Sequence, residues 1–148
     1  MEKQEIDGFS RLKMDDFFGN SSDARITGTW YNIHWTPDPS SAERINIGVL
    51  FVNKQKNEHE YRFLNENQAD FFNLVYGETA GFHVKLAINV AKEIIEDASE
   101  RAYLDIERNM PNLKITQGGY VADYTKNDII NRLFEDITYK KVWDDLIS

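Results

Sequence analysis

The sequence predicts an α+β fold: a small antiparallel sheet, a three-strand meander plus one or two later strands, with helices packed on one face. Three observations carry this. Two runs alternate apolar and polar residues with period two; one long stretch repeats apolar residues at three and four; and strands and helices are largely segregated along the chain.

Residues 1–28 are polar and read as an N-terminal arm ahead of a single domain over 29–148. A small apolar set within it, Phe9, Leu12, Met14, Phe17 and Phe18, suits a short helix docked on the body or a segment that binds a partner. The body begins with a strand over 30–35. It places Tyr31, Ile33 and Trp35 on one face and Trp30, Asn32 and His34 on the other. Pro37 and Pro39 fix φ and remove two backbone donors, so no strand continues through them. Ile45, Ile47, Val49 and Phe51 resume the alternation, which predicts a hairpin with a long tip. Gly48 within that second run points to a close approach, by the Ala-rich helix, by an aromatic from the next strand or, less economically, by a ligand.

A polar turn follows, in which His59 between Glu58 and Glu60 is expected to be solvated, and then a short third strand over 61–64. Asn65 with Gln68 three positions on spells a capping box, and Gly77 should end the helix it opens. From about 79 to 107, Ala87, Val90, Ala91, Ile94, Ile95, Ala98 and Ala102 form one stripe opposite Lys92, Glu93, Glu96, Asp97, Glu100 and Arg101. Gly118-Gly119 suits a tight hairpin turn. Thr125 reads as the N-cap of a helix carrying Ile129, Ile130, Leu133, Phe134 and Ile137, followed by an amphipathic piece with Val142, Trp143, Leu146 and Ile147.

At 148 residues, with 41% apolar residues, the chain can bury one core. Its net charge of −8 disfavours direct nucleic-acid binding and anionic membranes. The absence of cysteine removes thiolate chemistry, and no apolar run signals a leader or a membrane span, so cytoplasmic localisation is expected. His34, His59 and His83 lack metal-ligand spacing, no serine stands in a nucleophile motif, and no glycine loop suits a nucleotide. No metal and no cofactor are expected, and the balance leans away from an enzyme. One constellation stands out: His34, Asp38, Arg44 and Asn46 gather at the first hairpin as an imidazole, a carboxylate, a guanidinium and an amide. They could bind an anion or peptide. A structural role weighs more: Asp38 satisfying turn amides, Arg44 pairing with it, and Asn46 bonding a neighbouring strand.

The aromatic strand, Pro37-Asp38-Pro39 and then Arg44-Ile45-Asn46-Ile47-Gly48-Val49-Leu50 resemble a family of small bacterial proteins of unknown function, with a Tyr…Pro-Asp-Pro…Asn-(Val/Ile)-Gly-Val hairpin. Its members are often encoded beside HipA-like kinases. The likeness extends more weakly to the helix near residue 138 and leaves out the arm. It supplies no catalytic residue. What it implies is a noncatalytic accessory or regulatory protein in a toxin or phage-defence operon, acting on a protein partner such as an operon neighbour. Two alternatives stand beside it: an enzyme or small-ligand module using the hairpin cluster, and an acidic nucleic-acid mimic.

Overall fold

The computed structural model describes residues 26–40, 43–123 and 125–137. The elements are β1 (Ile26–Trp35), β2 (Ile45–Asn53), β3 (Glu58–Phe63), α1 (Glu66–Asp70), α2 (Phe72–Tyr76), α3 (Ala80–Ser99), β4 (Arg108–Asn109), β5 (Leu113–Asp123) and α4 (Lys126–Ile137). Every strand pairing is antiparallel, in the order β3-β2-β1-β5-β4. The fold is the expected α+β one, with the meander in place and two later strands on the far side of β1. Ile26, Thr27 and Gly28, read as the end of the arm, belong to β1. Phe9, Leu12, Phe17, Phe18 and the amphipathic piece at 142–147 lie outside the described residues.

Register decides what each face carries. Tyr31 lies across from Leu50, Ile33 from Gly48 and Trp35 from Ile45 on β2, and Ile33 and Trp35 lie across from Ile115 and Leu113 on β5. Residues opposite one another share a face, so this row is the core floor. Helix α3 lies over it, with Glu96 reaching His59 of β3 and Lys92 standing over the Phe63 ring. Successive strand residues point to opposite faces, so Arg62, between Tyr61 and Phe63, points away from α3. It donates to Asn131 Oδ1 at 2.9 Å and sits 4.1 Å above the Phe134 ring. Helix α4 therefore covers the second face at the β2–β3 end, so the helices are not confined to the one face that the sequence pattern suggests. This is why Ile47 to Asn53 are buried without alternation.

Local signals explain most boundaries. Asn65 Oδ1 accepts from Gln68 N at 2.8 Å while Gln68 Oε1 accepts from Asn65 N at 2.9 Å, the capping box expected. The helix that Asn65 opens is interrupted at Phe71 rather than running to Gly77 as expected, and Gly77, at φ 111°, ends α2 in a conformation few side chains tolerate. Thr125 Oγ1 accepts from Asp128 N at 3.0 Å and opens α4, whose Ile129, Ile130, Leu133 and Phe134 are buried.

Four further expectations need correction. The long helix stops at Ser99, because Ala102 and Tyr103 take φ of 55° and 60°, so Ala102 is not part of the stripe. Val90 of that stripe faces outward. His59 is half-buried and bonded, with Nδ1 2.6 Å from the Tyr103 hydroxyl and Nε2 3.2 Å from Glu96 Oε2. That anchor holds Tyr103 in the core despite its left-handed backbone. Gly118-Gly119 makes no hairpin turn. Trp30 pairs with Gly119 and Tyr31 with Gln117, so Gly118 is the extra residue of a bulge, and a Cβ there would stand 2.4 Å from the Trp30 ring.

Gly48 has the reason expected of it. A Cβ would fall 2.4 Å from Phe63 Cδ1, the aromatic of the neighbouring strand, and 3.0 Å from the Arg62 carbonyl. Gly48→Ala should cost about 1–3 kcal/mol by overpacking, measured by urea unfolding. The loss should shrink in a Phe63→Leu background, where the ring is gone; an equal loss in both backgrounds would show that Phe63 is not the constraint.

Candidate functional site

Beyond the cover of α4, the second sheet face turns polar. Asn32 and His34 point onto it from β1, and their register partners are Thr116 and Lys114 on β5. A second bulge shapes the other side: Ile33 pairs with Gly48 but His34 with Asn46, leaving Ile47 as the extra residue of β2. Asn46 thus shares a face with His34, and Arg44 lies just before the strand. Of the four residues singled out in sequence, three converge: His34, Arg44 and Asn46. Asp38 does not join them. It is exposed in the turn after β1, where its carboxylate accepts from Ser40 N at 3.0 Å and Ser40 Oγ at 2.9 Å. These bonds hold it below the usual carboxylate range.

Lys114, Arg108 and Thr116 complete the neighbourhood and had no motif to mark them. Together with Arg44, Glu107, Asn109 and Ile115 they line a cavity of about 350 Å3. Burial first, then the positive charges of Arg44 and Lys114, push the His34 imidazole below its ordinary pKa. Its Nδ1, Asn32 Oδ1 and Thr36 Oγ1 are buried without a hydrogen-bond partner among the described residues. Thr36 is otherwise tied down by its backbone, which exchanges bonds with Asn112 at 3.2 and 2.9 Å.

A different surface lies on the other side of the turn between β4 and β5. Phe82, Leu86 and Val90 recur at four along α3 and stand outside the core at 61%, 46% and 38% exposure. Residues four apart are neighbours on a helix surface, so they form one apolar ridge. Leu86 and Val90 then line a groove of about 400 Å3 with Trp35, His83, Met110 and Pro111. Leu74 and Val75 of α2 are also exposed, and α2 is tied to the start of α3 by the Asn73 Oδ1 bond to Gly81 N at 2.7 Å. In sequence Val90 reads as part of the buried stripe, and Phe82, Leu86, Leu74 and Val75 carry no assignment. Only the excess of apolar positions around α3, wider than one stripe, could have marked them.

Among the described residues no group of three or more His, Asp or Glu is gathered as for a metal ion, and no helix is long and apolar enough to cross a membrane. The chain matches no protein-family model, no curated protein and no solved structure.

The setting of His34 has a measurable consequence. A histidine pKa lowered on folding makes the unfolded chain bind more protons. Its contribution to stability is therefore full above the unfolded value of about 6.5 and is lost as pH falls from there through the folded value. We expect the His34 ring proton, followed by NMR, to titrate below the ordinary histidine range, and Lys114→Ala to move it upward. A His34 that titrates normally, or is indifferent to Lys114, would contradict the description.

Proposed function

We propose that the chain is a noncatalytic accessory protein that acts by binding another protein, and that the apolar ridge and groove of α3 are its docking surface. The single observation that carries this reading is the line of Phe82, Leu86 and Val90 outside the core beside a groove of about 400 Å3. A helix usually spends apolar residues on one stripe. Here α3 already has a complete buried stripe in Ala80, Val84, Ala87, Ile88, Ala91, Ile95 and Ala98. The ridge is thus surplus to folding.

The chemistry of the groove describes its occupant. Its lining contains no Asp, Glu, Lys or Arg, so it suits the uncharged apolar face of a partner's helix rather than a charged peptide. The resemblance at the Pro-Asp-Pro hairpin proposes where to look, among the products of genes beside the chain's own, HipA-like kinases included. Nothing in the lining requires catalysis.

The test pairs co-purification with substitution. The chain should co-elute with one neighbouring gene product, and Phe82→Glu with Leu86→Glu should weaken that complex by about 2 kcal/mol or more, roughly thirtyfold. Because both side chains are exposed, the thermal midpoint should stay close to that of the wild type. Failure to bind any neighbour, or binding that survives the double substitution, would overturn the reading.

A further inference from the structure

We propose that the cavity on the second sheet face is a binding site for a small phosphate-bearing molecule, held by Arg44, Arg108 and Lys114 with Thr116 and Asn109 as supporting donors. The inference is independent of the protein-binding surface, which lies across the β4–β5 turn.

The first argument is charge. In a chain of net charge −8, three cations line one cavity with a single carboxylate, Glu107. None of the three forms an ion pair with a carboxylate among the described residues. Glu107 is itself engaged, its Oε2 accepting from Gln117 N at 3.0 Å. Two of the cations, Lys114 and Arg108, are steered by neutral groups instead. Lys114 Nζ donates to Asn109 Oδ1 and to the Met110 carbonyl, and Arg108 Nη1 donates to the carbonyls of Asp105 and Glu107. Such bonds fix position and leave the charge uncompensated. Holding the donors in place beforehand lowers the entropic cost of gripping an anion.

The second argument is the row of unpaired polar atoms beside them. Asn32 and His34, directly across from Thr116 and Lys114, each bury a polar atom without a partner among the described residues, as does Thr36 two residues on. A buried polar atom left unpaired costs about 1–3 kcal/mol, and three in one row at strand spacing are more than folding alone requires. Phosphate is favoured over a simple carboxylate because two guanidinium groups and an ammonium suit several oxygens and more than one negative charge. The volume leaves room for a small organic body besides the phosphate.

The experiment uses the full chain and titration calorimetry at fixed ionic strength, with inorganic phosphate, pyrophosphate and tricarballylate as probes, and amide NMR shifts to place any binding. We expect saturable binding of phosphate or pyrophosphate, shifts centred on residues 108–109 and 113–116, and at least tenfold weaker binding in Lys114→Gln. Preference between the two phosphates tells a single phosphate group from a diphosphate. Arg44→Gln should weaken binding likewise, and because Arg44 is exposed outside the strands, this variant keeps the test valid should Lys114→Gln unfold. Phe82→Glu should change nothing. No saturable binding of either phosphate, equal binding of tricarballylate, or indifference to Arg44→Gln would overturn the proposal.

Discussion

Strand β1 has a hydrogen-bonded neighbour on each side, so its period-two alternation decides what both faces of the sheet become. Tyr31, Ile33 and Trp35 go to the face that α3 covers, and Trp35 meets Phe72 and Tyr76 edge-on at 5.4 and 5.8 Å. Trp30, Asn32 and His34 go to the other. A slip of one residue would exchange the two sets and drive an amide and an imidazole into the core. Two bulges, at Ile47 and at Gly118, fix the register on either side. The contact of Trp30 with Gly118 and that of Phe63 with Gly48 can each form in one register alone.

Two surfaces follow from that division, and one short turn separates them. Met110 and Pro111 wall the apolar groove, while Asn109 and Lys114 wall the cationic cavity. Lys114 spans the boundary, since it donates to the Met110 carbonyl. Apolar surplus on a helix and uncompensated cations on a sheet are both features that folding does not require, and they call for different occupants. The occupants proposed above differ accordingly: a protein for the first and a small anion for the second.

Much of the fold was legible because it rests on local chemistry. Alternation located β1 and β2, the Asn65 and Thr125 caps located helix starts, and Gly48 announced a close neighbour that proved to be Phe63. What was hidden depends on contacts distant in sequence. Gly118-Gly119 has the composition of a turn, yet Trp30, far away in the chain, uses Gly118 as a landing place within a strand. His59 sits among glutamates in a stretch that looks solvated, but Tyr103 folds back onto it. Val90 satisfies the helical period and still faces outward, because periodicity gives a direction and not the width of what lies beneath. At the site, His34, Arg44 and Asn46 were found through the hairpin, whereas Lys114 and Arg108 come from strands that only the tertiary pairing brings near.

The central position of β1 is most directly tested by residue-resolved amide hydrogen exchange. Amides flanked by strands on both sides, and covered by side chains, open only with the whole structure. The amides of residues 31–35 of β1 and 47–52 of β2 should exchange slowest, with a common free energy equal to that of global unfolding, while β3 and β4 at the edges exchange faster. Exchange of the β1 amides as rapid as that of the β4 edge would contradict the account.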